Sequence, residues 1–378
     1  MKIGILTFHF SDNFGALLQA YGLREYLRSL GHEAEFVNYQ PAHVEGGGKI
    51  RIGLSKQAAV SNLKVAYMAV SGVMQKLLTS EKTRRGIDSF QKKNLGVVGE
   101  AVTTIEEVPK LADGFEVLIC GSDQIWNPSD QFGIDPAYFL GFESTAKRKV
   151  SYAPSFGSGS LDARYRDEVT VLLRGLDGIS VREESAVELV NELIEYTPVC
   201  VPDPTFLVDD YKALIGEGTP KKDHIFAYIL RSSQDIHPMC DALSGKLGVP
   251  VRSAWNPYRR WKDFGEGIEG GPTEWLQELA DSKFVITNSF HGTVFSILMN
   301  RPFIAARLPG AKAKLSGRLE NLLEKVGLSD RLVTAGDIWE CLAIAEKDID
   351  WDAVNAKVSG MRQIGRDFLS AELERARV

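Results

Sequence analysis

Residues 2–39 read KIGILTFHFSDNFGALLQAYGLREYLRSLGHEAEFVNY. The opening KIGILTF is a nearly unbroken apolar run, the pattern of a strand covered on both faces. After a polar loop, FGALLQAYGLREYLRSL sets Leu17, Leu18, Tyr21, Leu23, Tyr26, Leu27 and Leu30 along one helical stripe. Gly31 supplies the left-handed residue that ends such a helix, and EAEFVNY resumes as a strand. A β-α-β unit therefore opens the chain, and its crossover implies a parallel sheet.

The same alternation continues. Strand-like runs occur at FEVLIC (115–120), RKVSYA (148–153), GISVR (178–182) and PVCVP (198–202). After a less regular segment at 207–223, a second series follows: HIFAYILR (224–231), VPVRSA (249–254), KFVITN (283–288) and PFIAARL (302–308). Two series predict two doubly wound α/β domains with a cleft between them. The expected boundaries are 1–210 for the first domain, 224–345 for the second, and 346–378 for a C-terminal helix returning to the first. Within the first, 49–93 carries ten Lys or Arg against Glu81 and Asp88. It reads as a basic helical insertion, either a solvated face or a peripheral contact with anionic lipid or a lipid-linked substrate.

The composition excludes several classes. The 378 residues are 44% hydrophobic and carry a formal net charge of -6, which argues against general nucleic-acid binding. Four scattered cysteines with no C-x-x-C pair point to reduced thiols and a cytoplasmic location, with the inner membrane face as a variant. No run is long and apolar enough to span a bilayer. There is no G-x-G-x-x-G after the first strand, no Walker loop and no histidine spacing for a metal, so neither a cofactor nor a metal is expected.

Ligands of parallel α/β sheets bind beyond the carboxyl ends of the strands. The residues found there are His9, Asp12 and Asn13 after the first strand, and Asp123 and Trp126 after FEVLIC. Arg182 follows GISV, Arg231 ends HIFAYIL, and His291 follows KFVITN. Each also has a plain structural reading. Asn13 can cap a helix, Asp123 a turn, Arg182 can pair with Glu183 or Glu184, and His291 can be a satisfied polar residue. In ITNSFHG (286–292), a helix start with unpaired N–H groups favours an anion. Gly292 would admit the ligand to the backbone, His291 would add a proton-donating ring, and Asn288 and Ser289 would cap the helix or touch the ligand.

In these stretches the chain resembles the polysaccharide pyruvyl transferase family. The resemblance is carried by TFHFSDNFGALLQAYGL (7–23), CGSDQIWNP (120–128), SYAPSFG (151–157), ISVREESA (179–186), PDPTFLV (202–208) and ITNSFHGTVFSILMNRPFI (286–304). It implies a GT-B-like fold, two Rossmann-like domains facing across a cleft. It also implies transfer of a pyruvyl group from phosphoenolpyruvate to two hydroxyls of a sugar, or of a lipid-linked glycan, giving a cyclic ketal and phosphate. The family places a donor-binding arginine in the ISVRE-like segment, matching Arg182, and an Arg-Leu-His sequence in the second domain. Here that sequence reads Ser289-Phe290-His291, so the second arginine is missing, and Arg318, Lys312 or Lys314 would restore the charge.

The expected catalytic pair is His291 as general acid and Asp123 as base. Donor contacts fall to Arg182, Asn288, Ser289, Gly292 and Arg318, and acceptor contacts to Asn13, Gln19 and Trp126. Two other readings stand beside this one: a nucleotide-sugar glycosyltransferase of the same architecture, and a non-catalytic glycan- or lipid-surface-binding protein.

Overall fold

The computed structural model describes residues 1–46, 79–97, 99–129, 131, 133–218, 221–230, 234–254, 265–307 and 317–377. Most of the basic segment (47–78), together with Arg231, Lys312 and Lys314, lies outside them. Among the described residues, twelve strands form two six-stranded sheets. The first sheet holds β1 (Lys2–Leu6), β2 (Glu33–Phe36), β3 (Val117–Asp123), β4 (Arg148–Pro154), β5 (Gly178–Val181) and β6 (Val199–Cys200). The second holds β7 (Ile225–Tyr228), β8 (Val251–Ala254), β9 (Glu266–Ile268), β10 (Phe284–Thr287), β11 (Phe303–Arg307) and β12 (Leu332–Thr334). Every pairing in both is parallel. The chain thus comprises two Rossmann-like α/β units.

Strand order locates the ligand-binding edge of each. The first sheet runs β2-β1-β3-β4-β5-β6, so the winding reverses between β1 and β3. The second runs β12-β11-β10-β7-β8-β9 and reverses between β7 and β10. A crevice opens where successive connections leave on opposite faces, at the carboxyl ends of those two strands. One threonine stitches each reversal. Thr7 Oγ1 donates to the Ser122 carbonyl at 3.2 Å, and Thr287 Oγ1 donates to the Tyr228 carbonyl at 2.5 Å.

The helix Phe14–Ser29 behaves as its stripe predicts, with one exception. Leu17, Leu18, Leu23 and Leu27 are fully buried, each worth about 1.5–3 kcal/mol as an upper estimate. Leu30 is the C-cap rather than a core residue, and it is 43% exposed. Gly31 takes the left-handed turn (φ 82°) and donates its N–H to the Arg28 carbonyl, closing the helix.

The chain does not divide at a single point. The first unit comprises Met1–Thr79, Gln91–Val208 and Arg362–Val378, and the second Ser80–Phe90 and Asp209–Met361. The helix Glu81–Phe90, expected as part of a first-domain insertion, packs in the second unit through Thr83, Ile87 and Phe90. Gly86 makes this possible, because a Cβ there would lie 2.4 Å from the Gly271 nitrogen. Lys82, Arg84 and Arg85 remain exposed on the other face. The last helix, Trp351–Arg375, begins in the second unit and ends in the first. There Arg362 donates to the carbonyls of Phe206 and Val208, Arg366 to that of Leu207, and Arg148 Nε reaches Glu372 at 3.1 Å. No helix among the described residues is long and apolar enough to cross a membrane.

Candidate functional site

In the second unit, β10 delivers Asn288, Ser289 and His291 to the strand reversal. Asn288 Oδ1 accepts from the Leu230 N–H at 2.7 Å, which ties the end of β10 to the segment leaving β7. Ser289 is the N-cap of the helix Phe290–Leu298, and its hydroxyl accepts from the Gly292 N–H at 3.2 Å. The Ser289 N–H is itself donated to Thr287 Oγ1 at 3.0 Å. Two N–H groups at this helix start are therefore engaged by the protein's own hydroxyls.

Gly292 meets a different demand from the one its position suggested. A Cβ there would stand 2.4 Å from Thr287 Oγ1, so the threonine that stitches the reversal requires glycine beneath it. His291 is 6% exposed, and its ring stands edge-on to Phe290 at 5.3 Å. The Arg318 guanidinium lies 5.7 Å from the centre of the Phe290 ring. An arginine guanidinium thus faces the ring next to the histidine in sequence, although position 289 is serine.

In the first unit the strand ends carry a buried ionic knot. Arg182 follows β5 and is 5% exposed. Its Nε donates to Glu183 Oε1 and one terminal nitrogen to Asp203 Oδ2, both at 2.9 Å. Asp203 Oδ2 also accepts from Ser122 Oγ at 3.1 Å, and Oδ1 from the N–H and hydroxyl of Thr205. The neighbouring carboxylates hold the Arg182 guanidinium protonated against its burial. Two carboxylates already face this one cation, so a donor anion arriving here would compete with both. Asp203 lies in PDPTF, where an aspartate flanked by prolines carries no periodic signal.

Asp123 ends β3 with φ 70°, a left-handed conformation that an L-residue adopts only under local constraint. Its Oδ1 accepts from the Gln124 N–H at 2.9 Å, and its carbonyl from the Ser155 N–H. The next strand repeats the feature, with Ala153 at φ 55°.

The three expected acceptor residues have structural partners. Asn13 is the N-cap of the first helix, accepting from the N–H groups of Gly15 and Ala16. Gln19 is fully buried and donates to Thr7 Oγ1 and the Ala16 carbonyl. Trp126 is 1% exposed, stacks on Phe139 at 4.7 Å and gives its indole N–H to the Tyr138 carbonyl. A tryptophan so placed has no face for a sugar, and the aromatic run Tyr138-Phe139 explains its burial.

Another cluster lies at the same edge. Tyr39 and His43 follow β2, while Gln131 and Asp135 follow β3. The Tyr39 hydroxyl donates to Asp135 Oδ2 at 2.9 Å, and the Ala137 N–H to Oδ1 at 3.0 Å. His43 Nε2 lies 3.1 Å from Gln131 Oε1 and 3.4 Å from Asp135 Oδ2. Burial raises the Asp135 carboxyl above its ordinary range, and burial with the adjacent carboxyl raises the Tyr39 phenol.

The family model described as polysaccharide pyruvyl transferase matches residues 13–307. No curated protein matches the chain. Among solved structures it is similar to the UDP-GlcNAc 2-epimerase from Methanocaldococcus jannaschii, at 10% identity over 93% of each chain with a TM-score of 0.47. It is also similar to the UDP-N-acetylglucosamine 2-epimerase from Rickettsia bellii (10% identity, 100% of this chain and 96% of that one, TM-score 0.46). A third is the spinosyn rhamnosyltransferase SpnG (12% identity, 97% and 96%, TM-score 0.43).

Proposed function

The chain belongs to the polysaccharide pyruvyl transferase family, and on that premise we propose that it moves a pyruvyl group from phosphoenolpyruvate to a sugar. The acceptor is a cell-surface polysaccharide or its precursor, and the products are a pyruvate ketal and phosphate. His291 protonates the methylene carbon of the donor, leaving an oxocarbenium-like central carbon. A sugar hydroxyl attacks that carbon and passes its proton to a general base. The C–O bond to phosphate then breaks, and a second hydroxyl closes the ketal. Arg318 and the start of the helix Phe290–Leu298 stabilise the anionic donor.

One observation carries this reading beyond membership of the family. His291 stands at the strand reversal of the second sheet with the Arg318 guanidinium beside its neighbouring ring. A proton donor and a cation at a helix start suit an anionic enol ester.

The test compares thermal shifts with phosphoenolpyruvate and with nucleotide sugars, then measures phosphate release against ketal formation by NMR. A stabilising shift with phosphoenolpyruvate and equal yields of phosphate and ketal are expected. His291→Gln should keep the shift while turnover falls about 10²–10⁴-fold. A shift with nucleotide sugars alone would overturn the reading.

A further inference from the structure

His291 is the second residue of the helix Phe290–Leu298, so its place is set by whatever fixes that helix start against the second sheet. One hydroxyl does much of this. Thr287, the last residue of β10, is fully buried. Its single hydroxyl hydrogen goes to the Tyr228 carbonyl at the end of β7, across the strand reversal. The oxygen keeps its lone pairs for the Ser289 N–H, which donates to it at 3.0 Å. The threonine therefore joins the neighbouring strand on one side to the helix cap on the other.

The contact continues into the first turn of the helix. A Cβ on residue 292 would stand 2.4 Å from Thr287 Oγ1, 3.1 Å from its Cβ and 3.2 Å from its Cγ2, so the bare Gly292 backbone rests on the threonine side chain. Ser289 accepts from the Gly292 N–H, and Thr293 Oγ1 donates back to the Ser289 carbonyl at 3.1 Å. His291 thus stands between two residues, 289 and 292, that both bear on Thr287. A β-branched side chain turns reluctantly about χ1, and turning this one would break its bond to Tyr228. The first unit uses its reversal threonine differently. Thr7 Oγ1 also donates across the reversal, to the Ser122 carbonyl, but it accepts from the Gln19 side chain and not from a helix-cap backbone. A strand reversal as such does not require the bond to the cap; that bond belongs to the helix start that carries His291.

Resting on the function proposed above, we propose that Thr287 is a positioning residue: it sets the place from which His291 delivers its proton to the donor's methylene carbon. Thr287 acts through the helix start alone. A proton donor has to be held within about 0.5 Å of its productive place, and an error of about 1 Å costs roughly 100-fold. Proton transfer belongs to the transition state, so such an error lowers turnover and spares donor binding. Serine at 287 would keep both hydrogen bonds. Valine has the shape of threonine and would keep neither, leaving the buried Tyr228 carbonyl and Ser289 N–H facing a methyl group.

The experiment has two arms. Without substrate, NMR of histidine-labelled protein, assigned with His291→Gln, should show the His291 ring signals displaced in Thr287→Val and unmoved in Thr287→Ser. Gly292→Ala presses on the same hydroxyl from the helix side, should displace them too, and reads the contact if the valine variant does not fold. With phosphoenolpyruvate and a set of methyl hexopyranosides as acceptors, Thr287→Val should lose roughly 10–10²-fold in kcat, with the phosphoenolpyruvate KM little changed. Thr287→Ser should recover most of that loss. In the His291→Gln background no acid remains to be positioned, so Thr287→Val should cost no further turnover. Unmoved His291 signals in the folded variants, or an equal loss from Thr287→Val with and without the His291 ring, would overturn the positioning role and leave the proposed function standing. A wild type that neither binds phosphoenolpyruvate nor forms ketal would overturn the function, and the role with it.

Discussion

Asp135 shows how one side chain records competing demands. Its carboxyl is buried among Tyr39, His43 and Gln131 and titrates above the ordinary carboxylate range, with desolvation the largest cause. The folded state therefore holds the proton to higher pH than the unfolded chain does. Stability is complete below the unfolded value of about 3.9 and is lost as pH rises through the folded one. Asp135→Asn is expected to raise Tm at pH 7, with no gain near pH 3, as thermal unfolding at both values would measure. A lower Tm at pH 7 would mean that the carboxylate's bonds outweigh its desolvation. Arg182 presents the opposite case. Removing it leaves Glu183 and Asp203 buried without their cation, so Arg182→Ala should cost about 3–5 kcal/mol in urea unfolding. Unchanged stability with a raised phosphoenolpyruvate KM would instead mark a direct donor contact. These partnerships were only partly legible. The helix-capping role of Asn13 and the pairing of Arg182 with Glu183 are local and can be read from adjacent residues. The reach of Arg182 to Asp203, and of His43 to Asp135, depends on strand order, which no short window contains.

At the scale of elements the sequence was far more informative. Each of the eight strand-like runs beyond the opening unit overlaps a strand, because parallel strands covered on both faces are written as continuous apolar runs. The strands that escaped, β9 and β12, are three residues each at opposite edges of the second sheet. At an edge, burial no longer imposes a pattern. The helix Glu81–Phe90 was legible as a helix, but the core that receives it was not. Its docking turns on Gly86, where two effects oppose each other. Alanine in a helix interior gains about 0.5–1 kcal/mol over glycine. Against this, a Cβ at 2.4 Å from the Gly271 nitrogen and 2.8 Å from its Cα meets rigid backbone, and overpacking typically costs about 1–3 kcal/mol. The clash should win. Gly86→Ala is expected to lower Tm and to speed hydrogen exchange over 81–90, leaving exchange in the first sheet unchanged; a raised Tm would show that the contact yields.

For the molecule as a whole, the two βα series written along the chain became two sheets, but the segments 80–90 and 362–378 do not follow the division between them. Periodicity shows that a helix has an apolar face and is silent on which sheet will cover it. The interleaving also bears on how the protein is made. Arg148 meets Glu372 across 224 residues of chain, and Arg366 meets the Leu207 carbonyl across 159. A ribosome delivers residues 362–377 only after it has produced all of the second unit. The first unit is therefore begun first and finished last, with the surface around Tyr152 awaiting Gly365 and Phe368 throughout. Pairings so distant in sequence form slowly and leave apolar surface open meanwhile. During synthesis, the nascent first unit is where a chaperone would have most to hold.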